Sequence, residues 1–191
     1  MKKRILIVVL FAVILMFSSC SESFDGASEC ARRFSSVSAM DARVRIIADF
    51  PSREATYIVD YTYKKDGDDA LTIRAPENVA GVGAVISKGS ASLTFDGASL
   101  ETGELSKNGI SPLSAIPSLI SVWNGGNIAE AHYMNLGESE TAFVITRISS
   151  PDGETEYRTW FLKDNCAPVR AEIFSDGRRI IQCEFERADL R

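Results

Sequence analysis

Residues that commonly catalyse reactions are sparse in this sequence, and none stands in a catalytic spacing. The one histidine, His132, lies in an alternating segment with no candidate nucleophile nearby, and a general base needs a positioned partner. We therefore predict that His132 is a partly exposed strand residue. Asp66, Asp68 and Asp69 resemble the start of a calcium loop, but the later ligands and the bidentate glutamate of an EF-hand are missing. The sequence contains no P-loop, zinc-protease helix or nucleophile elbow, so we predict no enzymatic activity, no cofactor and no metal site.

Three cysteines beyond residue 28, namely Cys30, Cys166 and Cys183, could form one disulfide and leave one thiol free. Their spacing does not choose among the three possible pairs, and all three could equally be small buried apolar residues. If residues 176–177 close a two-residue hairpin, Cys183 faces Arg170. A bond between Cys166 and Cys183 would then need a bulge or a loop excursion. No cysteine and histidine pattern indicates zinc.

The fourth cysteine, Cys20, ends an N-terminal segment with an export pattern. Basic residues 2–4 precede the apolar run Ile5–Phe17, which is too short for a span of roughly 20 residues and is typical of a signal peptide. The residues Ser18-Ser19-Cys20 resemble the lipobox of bacterial lipoproteins, with Phe17 where leucine is usual. This resemblance implies that residues 1–19 are removed and that Cys20 carries acyl chains such as palmitate. The alternative is an ordinary secretory signal cleaved elsewhere.

Length and charge limit what remains. Removing 19 of the 191 residues leaves 172, enough for one domain with a real core. We predict a lipidated tether over 20–28 and a single domain over 29–191. The net charge is −5 for the whole chain and, because residues 1–19 contribute three positive charges and no acidic ones, −8 without them. That balance disfavours binding to nucleic acids and to anionic headgroups.

Most of the domain alternates apolar and polar residues with a period of two, which predicts half-buried strands. A short amphipathic helix is expected over 29–38, and the strands begin after residue 40. Asp-Gly pairs at 66–67, 96–97, 152–153 and 176–177 lie between alternating segments, where tight hairpin turns are expected. The predicted fold is mainly β (α+β), an antiparallel curved sheet of roughly ten strands that forms an unclosed half-barrel covered by one to three short helices.

One segment changes to a helical period. Leu113, Ile116, Ile120 and Trp123 share a helix face, and Ser111-Pro112 supplies a cap and a first residue. Residues 124–126, Asn-Gly-Gly, tolerate the left-handed conformation that ends many helices. Because Pro117 lacks a backbone donor, a kink or two short helices are possible. The helix is more apolar than a surface helix normally is.

Several short motifs resemble the LolA/LolB-like lipoprotein carrier superfamily, whose members share a strand set, an R-x-P step, a turn with Asp-Gly, and a helical lid. The matching features are the strand pair over 41–65, Arg74 and Pro76 in the step, and Asp96-Gly97 in the turn. The resemblance is strongest from Asp41 to Trp123. Residues 77–81 replace the aromatic residues that usually follow the step.

The resemblance implies a half-barrel with an apolar cavity for acyl chains and no enzymatic activity. We therefore expect a membrane-anchored lipoprotein that faces the extracytoplasmic side of the cell membrane or outer membrane. It would bind an acyl chain or a lipidated protein segment, as a carrier or a sensor. The expected ligand contacts lie on the helix and on a facing strand: Leu113, Ile116, Leu119, Ile120, Trp123, Tyr57, Val59 and Tyr61.

A second interpretation is a structural or partner-binding envelope lipoprotein with no small ligand. Its cavity would be packed core, and it would present a surface or a sheet edge to a protein partner. Fully packed contacts between helix and sheet would favour this interpretation. A third interpretation is an enzyme that uses two carboxylates on neighbouring strands.

Overall fold

The computed structural model describes residues 19–50, 53–105, 110–151 and 153–191. Within these ranges one antiparallel sheet contains eleven strands, and its two edges, β6 and β7, are not bonded to each other. The half-barrel is therefore unclosed, as predicted. The strands in chain order are β1 (Ala39–Phe50), β2 (Arg53–Lys64), β3 (Asp69–Ala75), β4 (Gly83–Ser87), β5 (Ser90–Phe95), β6 (Ala98–Glu104), β7 (Ile128–Leu136), β8 (Ser139–Ser150), β9 (Gly153–Leu162), β10 (Pro168–Ser175) and β11 (Arg178–Leu190).

Two α-helices, α1 (Ser19–Phe34) and α2 (Pro112–Gly125), and a short 3-10 helix (Glu77–Val79) complete the described part of the chain. The strands appear in the spatial order β6-β5-β4-β3-β2-β1-β11-β10-β9-β8-β7. The first and last strands of the domain therefore meet in the middle of the sheet, where β1 pairs with both β2 and β11. No helix among the described residues is long and apolar enough to cross a membrane.

The alternation of apolar residues places one face of each strand in the core. Strand β1 shows the pattern most fully, because its alternate residues from Met40 to Ala48 are all buried. Two of the predicted Asp-Gly turns have positive φ at both residues, with φ of 48° and 78° at Asp96 and Gly97 and 49° and 77° at Asp176 and Gly177. These backbone angles match the tight turns whose twist suits a hairpin.

The prediction for Asp66-Gly67 is wrong, because β2 and β3 are joined by a four-residue loop and neither residue has positive φ. The Asp69 carboxylate closes this loop by accepting hydrogen bonds from the Lys64 amide and the Tyr61 hydroxyl. Asp152, the first residue of the turn predicted at 152–153, lies outside the described residues.

The predicted register of Cys183 is also wrong. The two-residue turn does set Ser175 opposite Arg178, but the register shifts between Ile173 and Phe174. This bulge gives β11 one extra residue, so Cys183 faces Ala171 instead of Arg170. A bulge of this kind depends on the neighbouring strands and leaves no short sequence signal.

Helix α1 begins ten residues before the predicted helix, and the segment expected as a tether is helical. Ala27 and Ser28 are fully buried, and the helix packs on β7 and β8. Gly26 permits this close approach, because a Cβ there would come within 3.0 Å of the Tyr133 hydroxyl oxygen. Residues 1–18 of the predicted signal peptide (1–19) lie outside the described residues, so the signal peptide and the lipidation of Cys20 stay predictions.

A disulfide joins Cys30 of α1 to Cys166 in the β9–β10 turn, with 4.9 Å between their Cα atoms. Cys183 is a free thiol and is buried. The odd cysteine count predicted one free thiol and left the pairing open. The alternative of three unpaired cysteines is wrong.

Helix α2 begins as predicted, with a capping box in which Ser111 and Ser114 exchange hydrogen bonds and Pro112 at the first position. It continues through Pro117 as one helix instead of two short ones. Its end differs from the expectation, because Gly126 is extended, not left-handed, and its amide donates to the Val122 carbonyl. Thr146 and Val122 stand so close to Gly126 that a side chain would collide with them.

Candidate functional site

Helix α2 lies in the concave face of the sheet and separates two cavities. Its apolar residues join a single core with the buried faces of the strands. The Trp123 indole donates a hydrogen bond to the Thr159 hydroxyl at 3.0 Å, which fixes the helix against β9. The cavities flank the helix. One lies toward β1–β5, and the other lies between β8–β11 and the residues Gly89 and Leu105 beside β5 and β6.

The first cavity has a volume of about 250 Å³, and we call it the apolar cavity. Strands β1, β2, β3 and β5 form its sheet wall, and the beginning of α2 forms the opposite wall. No charged residue lines it among the residues that the structure describes. Its lining consists of Ile46, Phe50, Tyr57, Val59, Leu71, Ile73, Val82, Leu93, Ser111, Pro112 and Leu113.

Three large apolar side chains remain exposed on strands that line this cavity or pair with its lining residues. Phe50 is 39% exposed, Phe95 54% and Leu100 66%. By strand register all three belong to the concave face: Phe50 continues the buried row of β1, and Leu100 faces the cavity residue Leu93. Exposed apolar side chains on the same face as an apolar cavity are typical of a binding surface. We call Phe50, Phe95 and Leu100 the apolar rim.

The second cavity is larger, about 600 Å³, and more polar. Its floor is the face of α2 that carries Ser114, Ser118 and Ser121, and its wall includes Ile148 and Tyr157. Burial raises the pKa of the Tyr157 hydroxyl, so that group stays neutral and can only exchange hydrogen bonds. This mixture of hydroxyl and apolar groups is less specific for hydrocarbon than the apolar cavity.

The predicted ligand contacts divide into two groups. Tyr57, Val59 and Leu113 line the apolar cavity. The other five are buried in packed core and line neither cavity: Ile116, Leu119, Ile120, Trp123 and Tyr61.

Specific contacts hold two of these five, Trp123 and Tyr61, in the core. Trp123 contacts three aromatic rings, those of Phe34, Phe161 and Phe185, at centroid distances of 4.8, 5.5 and 6.0 Å. The Tyr61 hydroxyl donates to Asp69 at 2.6 Å. Burial raises the pKa of Tyr61 far above its usual range and also raises the pKa of Asp69.

Sequence reasoning missed most of the residues that line the apolar cavity, including Ile73, Val82 and Leu93, and it missed the rim. Part of this lining could have been assigned from the sequence. Ile73 alternates with Leu71, and Phe50 ends the alternating row of β1, so both could have been assigned to the concave face. Their convergence on one cavity depends on sheet curvature, which the period does not encode.

The residues of the family-type motifs have structural roles here. Arg74 and Arg43 both donate to the Asp60 carboxylate on the convex face, at 2.6 and 2.7 Å. The hydrogen bond from Arg43 lowers the pKa of Asp60 to about 2. Pro76 precedes the 3-10 helix, and Asp96-Gly97 forms the β5–β6 turn.

His132 is a half-exposed residue of β7, as predicted, 3.3 Å from the Glu130 carboxylate and edge-on to Phe143. Within the described ranges no group of three or more acidic, histidine or cysteine residues could hold a metal ion. Neither cavity contains His132.

Comparison with solved structures supports the fold assignment. A candidate outer membrane lipoprotein-sorting protein domain from Vibrio parahaemolyticus superposes with a TM-score of 0.50 at 10% identity, over 89% of this chain and 92% of that one. An uncharacterised conserved protein from Thermus thermophilus gives 0.53 at 9% identity, over 86% and 85%. A LolA superfamily protein from Nitrosomonas europaea gives 0.43 at 13% identity, over 88% and 94%.

No protein-family model and no curated protein matches the sequence. At these identities the likeness concerns the fold alone. At that level the likeness confirms the predicted fold, an unclosed half-barrel that this chain shares with the Vibrio domain and the Thermus protein.

Proposed function

We propose that this protein is a membrane-anchored extracytoplasmic lipoprotein that binds acyl chains, free or attached to a lipid or protein, in its apolar cavity. The observation that carries the proposal is the uncharged cavity between α2 and strands β1–β5, together with the exposed apolar rim beside it. Each methylene group moved from water into such a cavity contributes about 0.8 kcal/mol. Hydrocarbon is therefore the chemistry that this site favours.

The fold shared with the Vibrio domain supports a role in handling lipidated molecules. The predicted anchor would hold the cavity near a membrane, which is the source of acyl chains. Helix α1 starts at Ser19 and is joined by its disulfide to the β9–β10 turn, so only a short segment would separate the anchor from the domain.

A variant that fills the cavity tests the proposal. Leu113→Trp places a larger side chain where α2 begins, at a half-buried position in the cavity wall. If it displaces two methylene groups of a bound chain, affinity falls about tenfold. The matched control is Val85→Trp, which adds an indole at a 43% exposed position that lines neither cavity.

The assay is titration of a fluorescent fatty acid into the chain from Ser21 onward, exported behind a cleavable signal. This chain keeps all of the described core, which starts at Phe24. Native mass spectrometry of the same sample would identify any lipid carried from the cell. Weaker binding by Leu113→Trp and unchanged binding by Val85→Trp support the proposal. Absence of binding by the parent chain, or equal loss in both variants, contradicts it.

The anchor is tested separately. Cells given labelled palmitate should label the full chain, and Cys20→Ala should abolish that label. Retention of the label in Cys20→Ala would refute lipidation at this residue.

A second function, binding of a protein partner without a small ligand, is favoured by one observation. The face of α2 that carries Ile116, Leu119 and Trp123 is buried in the core and lines neither of the two cavities described above. An apo mass in native spectrometry, together with no uptake of fatty acid, would favour this function.

A further inference from the structure

One arginine, Arg53, stands at the apolar rim in a position that distinguishes it from the arginines of the convex face. The β1–β2 hairpin pairs Phe50 directly with Arg53, and the register is unbroken from this pair to Ala39 and Lys64. Because directly paired residues share a face of the sheet, Arg53 lies on the concave face with Phe50. Alternate residues of β2 continue that face to Tyr57 and Val59, which line the apolar cavity.

The charge of Arg53 has no partner within the described part of the chain. No carboxylate there lies within salt-bridge distance of its guanidinium, and the side chain is exposed. The arginines of the convex face differ, since each stands beside an acid: Arg43 and Arg74 at Asp60, Arg147 and Arg158 at Glu156, and Arg170 at Glu172.

An unpaired cation beside an uncharged cavity fits a ligand with two parts. The hydrocarbon part enters the cavity, and a guanidinium at the mouth can donate two parallel hydrogen bonds to a carboxylate or a phosphate. The net charge of the whole protein bears on which ligands can bind here. With a net charge of −8 after removal of residues 1–19, the protein as a whole repels anions, so an anionic headgroup needs a local cation.

Resting on the proposed function, we infer that the apolar cavity takes an acyl chain with an anionic headgroup, a carboxylate or a phosphate, which Arg53 binds at the rim. Among acyl ligands, the site would then prefer those with an anionic headgroup. An uncharged ester of the same chain would fill the cavity equally well but leave Arg53 without a partner.

The test compares three probes of equal chain length on the chain from Ser21 onward: a fatty acid, its methyl ester, and a lysophosphatidic acid. Dissociation constants are measured at low salt and pH 8, where both anions are charged. Exposed ion pairs contribute up to about 1 kcal/mol, so the parent chain should bind one or both anions up to about fivefold more tightly than the ester. The anion with the larger preference identifies the headgroup source.

Arg53→Gln should remove the preference and leave the affinity for the methyl ester unchanged. The control is Arg178→Gln, which removes the same charge from a second exposed arginine that has no salt bridge among the described residues. Arg178 is paired with Ser175, which lines the second cavity instead of the apolar cavity. Arg178→Gln should keep the preference, because the contact of Arg53 is local. Arg53→Lys should keep part of it, because the charge remains without the two-pronged geometry.

The outcomes separate this inference from the proposed function. Equal affinity of the parent chain for the ester and both anions, or a preference that survives in Arg53→Gln, overturns the role of Arg53 and leaves acyl binding standing. Equal loss of preference in Arg53→Gln and Arg178→Gln assigns it to overall charge and also overturns that role. If no probe binds, the proposed function fails and the inference fails with it.

Discussion

The disulfide between Cys30 and Cys166 offers the most quantitative test of the fold. It joins residues 136 positions apart and therefore closes most of the domain into one loop. The perturbation is the double substitution Cys30→Ala and Cys166→Ala in the chain from Ser21 onward. Cys183→Ala is the control, since it also removes a buried sulfur but breaks no crosslink.

The expected magnitude follows from the length of the loop. In the chain-entropy treatment a crosslink that spans about 100 residues or more stabilises the folded state by about 5 kcal/mol, by restricting the unfolded chain. Measured values fall between about 2 and 5 kcal/mol. Because Phe34 keeps α1 packed on Trp123 and Tyr63 without the bond, we expect the variant to remain folded and to lose an amount in this range.

Urea unfolding followed by tryptophan fluorescence measures the effect, because Trp123 is buried between α2 and the sheet. With a slope of about 2 kcal/mol per molar urea, the midpoint should fall by about 1 to 2.5 M. The slope itself should rise, because an unfolded chain without the crosslink exposes more surface.

An unchanged midpoint in the double variant would refute the reasoning, because a loop of this length cannot be opened without a gain in unfolded-state entropy unless the bond is absent. An equal loss in Cys183→Ala would assign the effect to lost side-chain packing instead of the crosslink. Adding a reductant to the parent chain should reproduce the double variant, and failure to do so would also count against the assignment.

Two further predictions concern titratable groups. The hydrogen bond from Arg43 lowers the pKa of Asp60 from 3.8 to about 2. The stabilisation by the Asp60 carboxylate is therefore present above about pH 4 and is lost as the pH falls through 2. Urea unfolding should show that Asp60→Asn is about 1 kcal/mol less stable than the parent chain at pH 7, and that this difference vanishes near pH 2. Burial raises the pKa of the Cys183 thiol to about 12, so this thiol should resist iodoacetamide at pH 8 in the native protein. In urea the chain should take up one label, which mass spectrometry would detect. Labelling of the native chain would contradict the burial of Cys183.

The sheet could be predicted from sequence because its signals are local. The turn at Asp96-Gly97 needs only two residues that accept positive φ, and the buried row of β1 needs only a period of two. The start of α1 could not be predicted in this way. Its residues Ser21, Gly26 and Ser28 are weak helix formers, and the helix is held by packing on β7 and β8, which are more than 90 residues away in the chain.

The candidate site was predicted less completely than the fold, and α2 shows the reason. The apolar residues of α2 exceed what one packed face requires, and this excess predicted a second apolar environment beside the helix. The period identified which residues share a face but not which face meets the sheet. The structure assigns Ile116, Leu119, Ile120 and Trp123 to the core and Leu113 to the apolar cavity.

This division argues that α2 is a fixed wall and not a lid that swings open. Lifting α2 would expose four buried apolar side chains, at about 1.5 to 3 kcal/mol each, and would break the hydrogen bond from Trp123 to Thr159. The total exceeds about 6 kcal/mol, a large share of the 5–15 kcal/mol that stabilises a typical domain. A ligand that enters past Phe50, Phe95 and Leu100 avoids this cost, because those side chains are already exposed. Entry across the apolar rim is therefore the less expensive route, and substitutions at the rim should change association rates more than those on the packed face of α2.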